Sequence, residues 1–410
     1  MNIISSLFKK LLGKEGLSNK TGIEKTTYPP LTVTGESSRQ GSIVIDTTER
    51  LSELEGVTHL DGDILFINSA RDLDLSPLNS LIEVTGSVLF SNSNQSSIDG
   101  FESLETIGKD LQIGSSTYLD QDKYEGCFDI EKVAGFSALK TIGGRFIIGD
   151  NSSLISVAGF EKLESIGESL VISENSALET VVDFNLLSTV GNSLVIDNSE
   201  LLRELPQFPL LISVGGDLKL HYNEAIKQVS GFPKLETVSN ELVIDSNDKV
   251  TSIDGFASLC SVGDFLWVHD NSSLKEITGF TELKKVDGLL SIDYNKNLKD
   301  TPHFPQLETI ESLNIDYNPR LKIVEGFPKL KTIHGSIVFE ENEMLSEIDG
   351  FNALINIDGD LKIHSETRLK LRGFMSLNNI GGKLSLPEDT TLNCSDDNKS
   401  ALLCELRKAS

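Results

Sequence analysis

Residues 266–280 read LWVHDNSSLKEITGF, and this stretch contains most of a repeat that runs through the 410-residue chain. With Gly-Phe as origin, the repeat starts at residues 100, 135, 159, 231, 255, 279, 326, 350 and 373. Asp183-Phe184, Gln207-Phe208 and His303-Phe304 keep the same register. From 135 to 303 every step is 24 residues, and later steps are 23 or 24. Such a period predicts a solenoid.

Each turn reads G-F-x-x-L-x-x-[I/V]-G-x-x-L-x-[I/V]-x-x-N-x-x-L-x-x-[I/V]-x. The L-x-[I/V] element has the two-residue period of a strand whose apolar side chains point inward. No element is long enough for an amphipathic helix, so successive strands must stack in parallel with right-handed crossovers. We therefore expect a β-solenoid, a right-handed, β-helix-like rod of about a dozen 23–24-residue turns with parallel sheets. Its length would be roughly 60 Å at ~4.8 Å a turn.

Three columns of the repeat are predicted to be structural. Gly supplies tight bends and close backbone approach. The Asn sixteen residues after the Gly turns a corner, where its amide can satisfy backbone groups of adjacent turns. The Phe column is predicted to be a buried stack: Phe101, Phe136, Phe160, Phe184, Phe208, Phe232, Phe256, Phe280, Phe304, Phe327, Phe351 and Phe374.

Composition excludes several classes of function. The formal charge of −26 repels phosphate backbones, so nucleic acid is not expected as a partner. The 38% hydrophobic residues suffice for a core, and no apolar run approaches the length of a membrane span. The four cysteines show no metal-ligand spacing, and no G-x-S-x-G, Walker, HExxH or zinc motif is present. We therefore expect no cofactor, no metal and no catalytic residue.

Three regions follow along the chain: residues 1–38, 39–392 and 393–410. The first begins MNIISSLFKKLLGK, which is not a convincing secretion signal; its apolar residues recur at helical spacing with lysines nearby. This amphipathic helix could make peripheral contact with an anionic membrane through residues 1–14, or cap the first turn. A polar linker completes the region. The last region is a C-terminal cap, in which Cys394 and Cys404 could pair or remain thiols.

The pattern L-x-x-I-x-G-F-x-x-L-x-x-I-x-G-x-L-x-I-x-x-N resembles the receptor L-domain repeat over roughly residues 50–392. That leucine-rich repeat occurs in the ligand-binding lobes of insulin- and EGF-type receptors and in fungal GPI-anchored cell-wall proteins. The resemblance implies a solenoid that binds ligands on a sheet face and catalyses nothing. This chain departs from it in having no clear signal peptide, no anchor tail and no cysteine-rich module. A cytoplasmic or peripheral membrane location is therefore expected, with the cell surface as the alternative that the resemblance implies.

The residues that vary beside each L-x-I strand are predicted to face outward. On the middle turns they include Lys219, His221, Tyr222, Asp245, Trp267, His269, Asp293, Tyr294 and Tyr317. One interpretation is that short polar residues simply end each strand and hydrogen-bond along the sheet. Another is a binding patch, since Trp, Tyr and paired charges are favoured at the centres of interfaces. A third is a site where Asp245, His269 and Asp293 approach one cation, although no metal-specific spacing is present.

One irregularity interrupts the repeat, a 35-residue step from 100 to 135 that inserts GSSTYLDQDKYEGCF, residues 114–128. A loop after this strand would overhang the same outward face. Loops on rigid scaffolds often carry function, so Tyr118, Tyr124 and Phe128 are further candidates, although a merely tolerated insertion explains the sequence equally well.

The sequence favours a non-enzymatic scaffold that binds a protein or glycan ligand on an outward sheet face. One alternative is a carbohydrate-active β-helix enzyme with Asp245 and Asp293 as an acid/base pair. Another is a purely structural surface or spacer protein. The pattern does not decide the oligomeric state.

Overall fold

The computed structural model describes residues 30–116 and 125–392, which form a β-solenoid of about 14 turns with parallel sheets and almost no helix. The predicted fold class is confirmed. Within the described residues, helix is limited to an α-helix at Thr48–Ser52 and a 3-10 turn at Ser76–Leu78. The sheet starts with Thr32–Val33, which pairs antiparallel with Ser38–Gln40, inside the segment predicted as a linker.

Each turn contributes one longer strand, built on the L-x-[I/V] element, to a 29-stranded sheet. The longer strands are Ile43–Ile45, Ile64–Ile67, Val88–Ser91, Leu111–Gly114, Phe146–Gly149, Leu170–Ser173, Leu194–Asp197, Leu218–His221, Leu242–Asp245, Leu266–His269, Lys285–Asp293, Thr309–Asp316, Ile337–Phe339, Leu361–Ile363 and Leu384–Ser385.

A shorter strand of the same sheet comes before most of these longer strands and forms another side of the turn. They are His59–Asp61, Glu83–Val84, Thr106–Ile107, Thr141–Ile142, Ser165–Ile166, Thr189–Val190, Ser213–Val214, Thr237–Val238, Ser261–Val262, Thr332–Ile333, Asn356–Ile357 and Asn379–Ile380.

A third side carries two-residue strands in three smaller parallel sheets. They are Ser97–Ile98, Lys132–Val133, Ser156–Val157 and Thr180–Val181; Gln228–Val229, Ser252–Ile253 and Glu276–Ile277; and Ile323–Val324, Glu347–Ile348, Lys370–Leu371 and Thr391–Leu392.

The phenylalanine column is buried and stacked along the solenoid, as predicted. Phe256, for example, has no exposed surface. Its ring lies 5.3 Å from that of Phe232 and 5.4 Å from that of Phe280, with interplanar angles of 5° and 4°. Each ring therefore fills the space left by its neighbours in the turns on either side.

The corner asparagines form a buried ladder of side-chain amides, also as predicted. Asn271 donates through Nδ2 to the carbonyl of Ile244 (2.9 Å), and its Oδ1 accepts the backbone N–H of Asn247 (3.2 Å). The same pattern includes Asn318, which donates to Ile292 O, although it follows its turn's origin by fifteen residues and not sixteen. Except at Ser199, which occupies this corner in one turn, the ladder from Asn151 to Asn342 ties each turn to the one before it.

One glycine column is required by the close approach of successive turns. A Cβ on Gly191 would lie 2.0 Å from the carbonyl oxygen of Gly167, a distance that no side chain can occupy. This close approach explains why glycine or another small residue follows the short strand of the large sheet in so many turns, as Gly191 follows Thr189–Val190.

Candidate functional site

Strand pairing places the outward residues of the middle turns in register. The strand Leu266–His269 pairs in parallel with Leu242–Asp245, so that His269 lies opposite Asp245. On its other side His269 lies opposite Asp293. Alternation along the strand buries Leu266 and Val268 and leaves Trp267 39% exposed. The predicted outward direction of Trp267 is confirmed.

Trp267, His269, Tyr294 and Tyr317, together with Asp293, form one contiguous group that we call the aromatic patch. Trp267 donates through Nε1 to Asp293 Oδ1 at 2.7 Å. His269 packs against the indole (4.9 Å between centroids) and edge-on to Tyr294 (5.1 Å). Tyr294 stacks on Tyr317 at 4.4 Å with 9° between the rings. The five side chains thus hold one another in fixed orientations.

One ring nitrogen of His269, Nδ1, makes no well-aligned hydrogen bond within the aromatic patch. Its Nδ1 lies 3.0 Å from Asp293 Oδ1, close enough for an ion pair. The geometry nevertheless gives Nδ1 no aligned hydrogen-bond acceptor. Asp293 Oδ1 already accepts the short hydrogen bond from Trp267, so the carboxylate is oriented mainly by the indole.

Tyrosines of the patch sit in an unusual backbone conformation. In most turns the residue at the corner after the longer strand has a left-handed φ; it is 59° at Tyr294 and 53° at Tyr317, and 55° at Tyr222, which lies outside the patch. Asn68, Asn92 and Asn198 occupy the equivalent corner in other turns, and this residue type tolerates the conformation best. A bulky aromatic residue is locally disfavoured there. Three tyrosines at this corner are therefore not explained by the needs of the turn.

Phe265 adds an exposed ring that the sequence reasoning missed. It lies one residue before the strand Leu266–His269 and is 40% exposed, two residues from Trp267. A strict reading of the L-x-[I/V] element left it outside the strand. Alternation continued backward by one step would have placed it on the same face as Trp267.

A shallow groove of about 530 Å³ adjoins Phe265. Its walls include Asp264, Asp287, Glu311 and Asn314. It lies where the repeat shortens: the turn from His303 has 23 residues, and Thr309–Asp316 runs as one continuous strand. Because Thr309–Asp316 is one residue shorter than the continuous strand Lys285–Asp293 with which it pairs, the pairing shifts register between Val286 and Leu289.

Lys219 and His221 lie at the other end of the predicted site. Lys219 Nζ contacts Asp217 and Glu241, each at 2.9 Å. Although partial burial lowers the pKa of Lys219, the ion pairs with Glu241 and Asp217 raise it above the ordinary value. The ring of His221 lies 5.4 Å from that of Tyr222. Lys219 is thus committed to internal ion pairs.

Three carboxyls with raised pKa values, those of Asp197, Asp245 and Asp316, lie at the ends of longer strands, as His269 and Asp293 do. Burial raises the pKa of Asp197 from 3.8 to about 7 and that of Asp316 to about 6, and it also raises the pKa of Asp245. Asp197 accepts a hydrogen bond from Asn198 Nδ2 (3.0 Å) at one oxygen, while Oδ1 has no partner. Burial lowers the pKa of His221, whose Nε2 lies 3.8 Å from Asp197.

Asp197→Asn should stabilise the protein at pH 8 by about 1–3 kcal/mol. Because the pKa of Asp197 is raised in the folded state, the folded protein binds the proton more tightly, and stability falls as the pH rises from about 4 to 7. Asparagine carries no charge, so the gain should shrink toward pH 4. Urea unfolding across this range tests it, with the exposed Glu282→Gln as control. A loss of stability at pH 8 would contradict the expected effect.

Most of the remaining candidates lie outside the described residues, namely Tyr118, Tyr124, residues 1–14, Cys394 and Cys404. Phe128 is 51% exposed. The insertion begins after the strand Leu111–Gly114, where Ser116 Oγ accepts a hydrogen bond from Ser173 Oγ, two turns further along the solenoid (3.2 Å). The start of the insertion therefore lies over the outward face.

Within the ranges 30–116 and 125–392, no group of three or more His, Cys, Asp or Glu residues is arranged to hold a metal ion. No helix in these ranges is long and apolar enough to cross a membrane.

Fold and patch together define a β-solenoid repeat protein with aromatic side chains fixed on one outward face. No family model matches the chain, and no curated protein matches it. Among solved structures it is similar to a leucine-rich repeat protein from Bacteroides ovatus ATCC 8483, with a TM-score of 0.26 and 17% identity. That similarity covers 89% of this chain and 81% of the other.

Proposed function

We propose that the protein is a non-enzymatic binding scaffold whose protein or glycan ligand contacts the aromatic patch. The observation that carries this proposal is the pair Tyr294 and Tyr317 at corners that disfavour bulky residues. Backbone conformations that are unfavourable for a bulky residue cluster at binding and catalytic sites, and most other turns place Asn, Asp, Ser or Glu at this corner. The pair is also exposed, at 40% and 43%.

The orientation of Trp267 supports the same proposal. Its indole N–H is held by Asp293, so the exposed part of the ring is presented rigidly to solvent. Rigid aromatic anchors lose little conformational entropy on binding, which is one reason that Trp and Tyr dominate the centres of interfaces. The resemblance to receptor L-domain repeats also favours a ligand on a sheet face.

Trp267→Ala should leave the free energy of unfolding within about 1 kcal/mol of wild type while weakening ligand binding by more than about 1 kcal/mol. The ligand would first be identified on a glycan array and by affinity capture from the native host. Melting temperature and affinity are then measured on the same samples. Met344→Ala, which truncates an equally exposed side chain elsewhere, is the matched control.

Unchanged affinity for every ligand found would remove the aromatic patch as the binding surface. Turnover of a bound glycan, lost in Asp245→Asn or Asp293→Asn, would instead favour a carbohydrate-active enzyme. Products are therefore assayed for each glycan that binds.

A further inference from the structure

An apolar row on the outer face of the first turns is shielded from solvent. Val44, Leu65 and Leu89 occupy the middle of three neighbouring strands and lie in register. Their strand neighbours Ile43, Ile64 and Val88 belong to the interior core, so alternation turns these three outward. They are nevertheless only 4%, 5% and 2% exposed. We call them the outer apolar row.

The outer apolar row is separate from the interior core and needs a cover. It forms its own small cluster, and of the described residues only Ile67 is a partly buried apolar neighbour packed against it. The same outward strand position is also nearly buried at Ile147, Val171 and Val195, which form a second small cluster, whereas Trp267 farther along the rod is 39% exposed. The strand position alone therefore does not decide exposure, which depends on what lies over each part of the row. The burial of the outer apolar row calls for a cover over the first turns.

We propose that residues 1–12 dock along the outer apolar row as an amphipathic helix of the chain's own N-terminus. The described sheet begins with Thr32–Val33, so the preceding segment joins the solenoid at this end. Twelve helical residues are about 18 Å long, and three adjacent strands span roughly 10 Å. The intervening residues 13–29 can extend by up to about 56 Å, so they do not restrict this position.

The chemistry of the segment fits the outer apolar row. Ile3, Leu7 and Leu11 recur at four-residue spacing, and Ile4, Phe8 and Leu12 extend the same stripe. Residues 1–14 contain three lysines and no acidic residue, whereas the whole chain has a formal charge of −26. Burial of the apolar stripe and attraction of the lysines to an acidic body act together. A membrane would compete for the same stripe.

Accessibility of a cysteine in the outer apolar row tests the docking. In the full chain, Leu89→Cys should react with a maleimide at least ten times more slowly than Met344→Cys, as resolved by mass spectrometry at each site. Combining Leu89→Cys with Leu7→Asp and Leu11→Asp should accelerate its labelling at least tenfold. Ser5→Asp with Ser6→Asp adds the same charge to the polar side of the helix and should leave the rate unchanged.

Cross-linking provides a second measurement that does not depend on the stability of the aspartate variants. Leu7→Cys with Leu65→Cys should form an intramolecular disulfide under mild oxidation, and Ser6→Cys with Leu65→Cys should not. The docking would be overturned if the two aspartates left the labelling rate of Leu89→Cys unchanged, or if both cysteine pairs cross-linked equally. Faster labelling on addition of phosphatidylcholine–phosphatidylserine vesicles would also overturn it, because the membrane would then be the preferred site. None of these results depends on what binds the aromatic patch.

Discussion

Phe256→Ala is expected to lower the free energy of unfolding by about 3–5 kcal/mol, because it removes a ring from a continuous buried stack. Phe256 has no exposed surface, and its ring packs between Phe232 and Phe280 at 5.3 and 5.4 Å. The turns above and below are fixed by their own strands, so they cannot collapse into the cavity. Denaturant unfolding followed by circular dichroism gives the change.

Phe265→Ala is the matched control for Phe256→Ala. It removes the same ring nine residues later, at a position that is 40% exposed, and should cost less than about 1 kcal/mol. Phe256→Leu should fall between the two, since it retains most of the apolar volume. A cost below about 1 kcal/mol for Phe256→Ala would show that the phenylalanine column does not support the core.

Most of the fold could be predicted because its determinants repeat. Once Phe256 and Asn271 are assigned to columns, the same assignment holds for every turn, and errors in one turn are corrected by the others. Asn318 escaped the prediction because a fixed offset does not allow for the residue missing before Leu313. Counting from the strand, and not from the Gly-Phe origin, would have found it.

For the candidate site, the sequence predicts which way the side chains point, but not how exposed they are or which groups they pair with. Alternation places Trp267 and Leu65 on the same outward side of their strands, but it does not reveal that one is open and the other shielded. Nor does it show that Lys219 is taken up by two carboxylates of its own sheet. Exposure and pairing depend on what lies over a residue, and this information comes from segments distant in sequence.

Asn271→Ala is expected to cost about 2–4 kcal/mol, although it removes only a small polar side chain. Its Nδ2 donates to the carbonyls of Ile244 and His269, at 2.9 and 2.8 Å, and its Oδ1 accepts the backbone N–H of Asn247. Alanine would leave the N–H of Asn247 buried without an acceptor, which costs about 1–3 kcal/mol, and would remove one hydrogen bond from each of the two carbonyls, although that of His269 still accepts the backbone N–H of Ser246. Denaturant unfolding measures the loss.

The chain itself supplies the control for Asn271→Ala, because Ser199 occupies the equivalent corner of an earlier turn. There the hydroxyl donates to the carbonyl of Asp197, two residues back, and so replaces one of the amide's three backbone hydrogen bonds. Asn271→Ser should therefore cost about two-thirds as much as Asn271→Ala. Amide exchange of the N–H of Asn247 localises the effect, since this group loses its acceptor in both variants. If Asn271→Ala costs less than about 1 kcal/mol and exchange at Asn247 is unchanged, water substitutes for the amide, and the ladder is not what holds successive turns together.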